Sequence, residues 1–315
     1  MISLLIRRIF LGAVTLWVVS GLVFAGTEIL PGDVALAILG QSATPESVAA
    51  IRQQLQLDQP PTVRYVRWLS RMIKGELGES FATGRPIARV VKSWLWNSLL
   101  LAALVTLFVV PVSIALGLVS ATYPESLLDR SISISSLVMI SVPLFFTGPV
   151  FVLFFAVTFR LLPAVSYISE ASSPLTILRA LVLPGLSLIL AVLAHMVRMT
   201  RAAILEVLMS PYIEMAILKG VSRGRIVFRH ALPNALGPII NVIALNIGYL
   251  VSGVVVVEVI FAYPGLGRLM IDAVAHRDVP MVQVTAMILC TVYVVVIFVA
   301  DLLVLATNPR LRRRK

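Results

Sequence analysis

The 315-residue chain is 59% hydrophobic and only 13% charged, with a formal net charge of +11. A water-soluble domain carries about 25% charged residues, so this composition, with a mean hydropathy of +0.99, excludes a soluble globular protein. The pI of about 10.5 does not indicate a nucleic-acid binder, because the basic residues are divided among several loops rather than gathered in one patch.

Six apolar stretches are long enough to cross a hydrocarbon core about 30 Å thick: residues 9–30, 98–121, 133–158, 177–196, 235–257 and 281–306. The first ends in Val23-Phe24-Ala25, which looks like a signal cleavage site. Its apolar run of about 20 residues exceeds the usual 7–15 of a signal core, which favours a retained helix. Pro31, Gly32 and Asp33 stop it sharply. In the long loop 31–97, Thr44-Pro45-Glu46-Ser47 reads as a helix start leading through Val48 to Leu57. Pro60 and Pro61 break that helix. Val63, Val66, Trp68 and Leu69 suggest another short amphipathic one, and Gly75, Gly78 and Gly84 punctuate the approach to span two. Pro111, Pro143, Pro149 and Pro184 fall within spans two to four and are expected to kink them.

Between spans four and five lies a polar segment, residues 213–233. Ile213, Ala216, Ile217 and Gly220 recur at helical spacing, with Lys219 in the last turn and Gly220 as the stop. Ser222 can cap a second helix with Ile226, Val227, His230 and Ala231 on its apolar side. Two short helices hinged at a glycine would make a knob that docks a second protein, or that lies on lipid headgroups.

In span five, Asn241, Gly248 and Ser252 fall within about 40° of one another on an ideal helix. Such a stripe would line a path for a polar solute or let a neighbouring helix approach closely. In span six, Asp301 lies near one end and is expected to pair with Arg198 or Arg201, and Cys290 has no partner for a disulfide. Charges at a helix centre are costly and are kept by ion-coupled carriers for function. The absence of a mid-membrane acidic pair or histidine relay argues against the main alternative, an ion-coupled secondary carrier.

Orientation follows from the basic residues of the short loops. Arg7 and Arg8 precede span one; Arg198, Arg201, Lys219, Arg223, Arg225 and Arg229 lie between spans four and five; Arg310, Arg312, Arg313, Arg314 and Lys315 close the chain. Both termini and the 213–233 segment are therefore expected on the cytoplasmic side. Loop 31–97 carries eight Lys and Arg residues yet is placed outside, since long loops translocate largely regardless of charge. No phosphate-binding G-x-x-x-x-G-K-[ST] loop, paired metal-ligand motif or nucleophile elbow is present. A transporter without an ATPase of its own or coupling ions is a channel or borrows its energy, and the docking knob favours borrowing.

These residues resemble a known family. The 212–233 loop is similar to the EAA motif of binding-protein-dependent ABC importer permeases, in which Glu-Ala-Ala is followed by a glycine and further on by Ile-x-Leu-Pro. Glu214-Met215-Ala216 stands for the triplet, Gly220 for the glycine and Leu232-Pro233 for the end of the pattern, with Met215 and His230 as departures. Arg7-Arg8, Leu30-Pro31-Gly32-Asp33, Gly75 to Ser80, Val197 to Arg201, His230 to Ala235, Phe261 to Gly267 and Asn308-Pro309-Arg310 resemble the first, B-type permease of the dipeptide/oligopeptide/nickel group.

The resemblance implies an all-α integral membrane protein with the type I ABC importer transmembrane fold. Residues 1–30 would form an N-terminal membrane helix and 31–93 an extracytoplasmic segment. Residues 94–306 would form the transmembrane domain, and 307–315 a basic cytoplasmic tail. It implies a non-catalytic permease of the bacterial inner membrane that binds no cofactor or metal, with ATP and Mg held by partner ATPase subunits. The implied partners are a second homologous permease, two ABC ATPase subunits and an extracytoplasmic solute-binding protein. The implied solutes are dipeptides or oligopeptides, with nickel complexes, glutathione and opines as alternatives. Glu214, Ala216, Gly220, Leu232 and Pro233 would couple to the ATPase. The segment 31–97 and the loop at Tyr263-Pro264-Gly265 would form part of the platform for the binding protein.

Overall fold

A computed structural model describes residues 2–29, 44–54, 58–168 and 172–307. The stop at Leu30 to Asp33, the expected helix end at Leu57, Asn308 to Arg310 and the basic tail lie outside the described residues. Among the described residues there is no β-strand, only an isolated bridge between Glu79 and Pro86.

The helices are α1 (Ile2–Ile29), α2 (Pro45–Gln54), α3 (Pro61–Ile73), α4 (Ile87–Thr122), α5 (Leu127–Ser141) and α6 (Leu144–Phe151). A π turn, Val152–Thr158, extends α6. They are followed by α7 (Pro174–Leu208), α8 (Pro211–Leu218), the single turn α9 (Arg223–Arg225), a second π turn (Ile226–Ala231), α10 (Leu232–Ile260), α11 (Leu266–Ala275) and α12 (Val279–Thr307). The six expected spans correspond to five long apolar helices and one bent pair, α5 and α6, which turn through 96° at their break.

The prolines act differently from one another. Pro111 and Pro184 sit inside continuous helices. Pro143 occupies the break as the cap of α6, and Pro149 is followed by the π turn. A proline removes one N–H and crowds the carbonyl four residues back; an i→i+5 turn re-registers the ladder around such a site.

The chain forms two compact units. The first comprises residues 1–98 and 265–294. Here α3 lies against α1 through Tyr65 and Trp68, whose rings are 5.5 and 5.8 Å from that of Phe24. Arg64 pairs with Glu28 at 2.6 Å, and the Ser20 and Tyr65 hydroxyls bond at 2.8 Å. Gly75, Gly78 and Gly84 all take positive φ, from 65° to 80°, as the turns between α3 and α4 require. Asp278, buried before α12, accepts hydrogen bonds from the Ser80 hydroxyl and from the Phe81 N–H at 3.1 Å. Ile87, Val91, Leu266, Met281 and Val284 make the core of this unit.

The second unit comprises residues 99–264 and 295–315. Its central helix is α7, of whose most apolar window 50% is buried, against 6% for α1. Helix α10 packs along α7, and α5 and α6 also rest against α7. Leu101 and Val105 of α4 join Leu183, Leu188, Val257 and Phe261 in the core between these helices. Apolar side chains left exposed on the spans, such as Phe108, Leu137 and Val138, suit a lipid or neighbouring-subunit surface.

Candidate functional site

The 212–233 segment folds as a helix, a glycine turn and a re-entry into the membrane helix. Pro211 opens α8 at a position where its missing N–H costs nothing, and Glu214 in the first turn suits the positive end of the helix dipole. The helix ends in a Schellman motif. Gly220 N–H donates to Ile217 O at 2.9 Å and Val221 N–H to Ala216 O at 3.1 Å, while Gly220 sits at φ +75°. The expected hinge glycine thus has a backbone reason. A Cβ placed there would meet nothing of this chain within 4 Å, so within the chain the demand is conformational and not steric.

The second expected helix is not separate. From Arg223 the chain runs through the π turn directly into α10, one continuous 38-residue helix ending at Ile260. Leu232 N–H donates to Val227 O, five residues back. This wider turn admits Pro233 without ending the helix. Leu232 and Pro233 therefore begin the membrane helix rather than closing a loop.

The faces also differ from the expected stripe. Ile213 is turned inward and Ala216 is half-buried, whereas Ile217 and Gly220 are exposed. Ile226, Val227 and Ala231 are buried, and Val227 packs with Leu118, Ala203, Ile204 and Ala235 at the ends of α4, α7 and α10. A groove of about 440 Å³ runs under the knob, lined by Leu205, Leu208, Ile213, Ile217, Val221 and Ile226 among others.

Outward, Tyr212, Met215, Leu218 and Phe228 are exposed, Leu218 at 74%, beside the exposed carboxylate of Glu214. The first three lie at i, i+3 and i+6, a second apolar face that periodicity does not single out because α8 is apolar on nearly every side. His230 contributes through its backbone: its carbonyl accepts from Asn234 Nδ2 at 2.7 Å.

Elsewhere, Arg201, one of the partners offered for Asp301, is engaged by Asp129 near the start of α5. Of the pathway candidates, Asn241 and Ser252 are exposed and Gly248 is buried, so the three do not share one open surface. The 263–265 loop is not an exposed platform. Tyr263 and Phe261 are fully buried in the core of the second unit, and burial, with the Glu258 charge beside it, raises the pKa of the Tyr263 phenol.

Two family descriptions match this chain: the binding-protein-dependent transport system inner membrane component over residues 113–313, and its N-terminal counterpart over 1–115. The chain belongs to that family. A Brucella abortus protein named as a peptide transport system permease is 36% identical over 312 residues, covering 99% of both chains. A peptide ABC transporter permease of Sinorhizobium fredii is 33% identical, covering 98% of both. An Escherichia coli glutathione transport system permease is 34% identical over 99% of both. An inward-facing structure of the MetNI methionine ABC transporter superposes with a TM-score of 0.58 at 18% identity, over 71% of this chain and 99% of the other. That match establishes the type I importer transmembrane fold. The chain is a multi-pass inner-membrane permease subunit of an ABC importer, a family that works together with other ABC subunits.

Proposed function

We propose that this permease carries peptides, or the peptide-like tripeptide glutathione, and takes its power stroke through the knob formed by α8 and the Arg223 turn. The named relatives support the solute class. The observation that carries the coupling reading is a rigidly terminated helix showing Met215, Leu218 and Phe228 to solvent, since grouped exposed apolar residues mark interaction surfaces. In this reading the knob enters a groove of an ATPase subunit on the cytoplasmic side, where both termini also lie. Ala216 and Gly220 allow close approach, Glu214 makes a polar contact, and Leu232 and Pro233 pass the motion into α10.

Two ATPase subunits bind ATP and Mg. Their closure swings a pair of homologous permeases from inward- to outward-facing, and solute arrives from an extracytoplasmic binding protein. That protein docks in part on the 31–97 segment. Asn241 and Ser252, the exposed members of the α10 stripe, lie where solute moves or the second permease packs, with Gly248 buried between them.

The test replaces Leu218 with cysteine in a Cys290→Ser background and cross-links the assembled complex. The expected product joins this chain to an ATPase subunit, with a yield that changes on adding ATP. Labelling of Leu218→Cys only from the extracytoplasmic face, or no ATPase adduct at all, would sink the coupling reading.

A further inference from the structure

The break between α5 and α6 falls at the midpoint of the bent pair, and a cavity of about 370 Å³ opens beside it. Residues of the break form one wall. The facing wall brings His195 from α7 and Asn246 and Tyr249 from α10, Asn246 being the middle residue of its helix. Irregular backbone at membrane depth is tolerated only where protein buries it or where it lines a polar cavity. Neither the His195 ring nor the Tyr249 hydroxyl makes a hydrogen bond or ion pair with a described residue. Asn246 is 96% buried, with Nδ2 anchored on Val242 O at 2.8 Å. Polar side chains in such places mark solute paths.

The chemistry of the lining narrows the ligand. Among the described residues no Asp, Glu, Lys or Arg faces the cavity, so nothing there would fix a charged terminus. Imidazole, carboxamide and phenol each offer a donor and an acceptor, which matches the C=O and N–H of a peptide group. The remaining walls, including Met139, Ile140 and Leu245, are apolar. The volume lies at the small end of the 300–1,000 Å³ typical of ligand pockets.

We infer that this cavity is a way-station in the translocation path that recognises the peptide backbone through His195, Asn246 and Tyr249 and is indifferent to peptide side chains. The inference rests on the peptide-importer reading above and deepens it.

The test uses the full transporter, with its ATPases and binding protein, in proteoliposomes, and follows ATP-driven uptake of labelled trialanine. Tyr249→Phe and His195→Leu are expected to raise the KM for uptake about fivefold each, and together at least twentyfold. His195→Gln, which keeps hydrogen-bonding capacity, should fall between His195→Leu and wild type. Uptake of lysine- and glutamate-containing tripeptides should fall in parallel.

A second measurement does not depend on those variants. Ala191→Cys in a Cys290→Ser background should react with a small methanethiosulfonate reagent at least fivefold more slowly when trialanine is present. A double variant within twofold of wild type, a loss confined to charged peptides, or no protection of Ala191→Cys would overturn the site while leaving the importer reading intact. Wild-type liposomes that take up no trialanine would overturn the peptide reading and this site with it.

Discussion

Arg201 grips Asp129 at two points, Nε donating to Oδ1 at 2.7 Å and Nη2 to Oδ2 at 2.8 Å. The same carboxylate accepts from the Ser120 hydroxyl and, at 2.9 Å, from the Glu125 N–H. The pair ties the end of α7, just before the knob, to the turn joining α4 and α5. A paired, bidentate arginine is geometrically specific, and removing one partner leaves the other charge uncompensated.

Asp129→Asn and Arg201→Gln should therefore each destabilise the protein by on the order of 3 kcal/mol, the low end for a buried pair, because Arg201 keeps 30% of its side chain exposed. The double variant should lose little beyond either single change. Thermal inactivation midpoints of the detergent-solubilised complex check this; additive losses would mean that the two side chains act independently.

Gly220 gives a prediction of a different kind. Its φ of +75° costs an L-residue about 1–2 kcal/mol, and asparagine tolerates that region better than alanine or valine. With open space where a Cβ would stand, side-chain size should matter less than backbone preference. Transport per ATP hydrolysed should fall severalfold in Gly220→Val and Gly220→Ala and be partly kept in Gly220→Asn. If asparagine proves as damaging as valine, the glycine is needed for close docking and not for its turn.

The spans were legible because their signal is compositional: long runs without charge have few other places to go. The fate of each proline was not. Pro111, Pro143 and Pro184 look alike in sequence, yet only Pro143 stands at a 96° break. Whether a helix survives a proline depends on what its neighbours offer the freed carbonyl. At Pro233 the lost ladder hydrogen bond suggests a helix end, but a π turn absorbs it. Gly220 could be placed from local pattern, but the outward face of α8 could not, since that is set by its packing against the second π turn and α7. Arg201 stood out in the sequence. Its partner Asp129 lies 72 residues away near the start of α5, where no periodicity marks it, and Ser80 and Asp278 are separated by 198.

That second pairing leads to a prediction outside the membrane spans. Asp278 accepts from the Ser80 hydroxyl and the Phe81 N–H, with Ala82 N–H longer at 3.4 Å and Met281 N–H at 3.3 Å. A carboxylate is acceptor-only, whereas an amide turns one oxygen into a donor, so Asp278→Asn sets an N–H group against an N–H or O–H. Each hydrogen bond to a charged group is worth about 1.5–3 kcal/mol. Amide hydrogen exchange over residues 79–86 should quicken at least tenfold in Asp278→Asn, while exchange in α7 stays unchanged. Equal exchange in both proteins would show that the turn is held by its backbone alone.

Close packing between α4 and α7 supplies the last prediction. A Cβ on Gly117 would come within 2.8 Å of Thr200 Cβ and Cγ2 and 3.1 Å of the Arg201 N. Small residues let membrane helices approach in this way, and the attraction there comes from packing rather than from water exclusion. Gly117→Ala must push the helices apart beside the Arg201–Asp129 pair, at a cost of about 1–3 kcal/mol. Removing the opposing side chain should restore the fit, so Gly117→Ala with Thr200→Gly should inactivate at a higher temperature than Gly117→Ala alone. Gly21 and Gly26 of α1 face open space, with nothing within 4 Å of a Cβ. Alanine at either should leave stability unchanged or raise it slightly, since glycine is about 1 kcal/mol worse than alanine in a helix interior. If Gly117→Ala were as harmless as Gly21→Ala in the same heat-inactivation series, the contact between α4 and α7 would be looser than the structure places it.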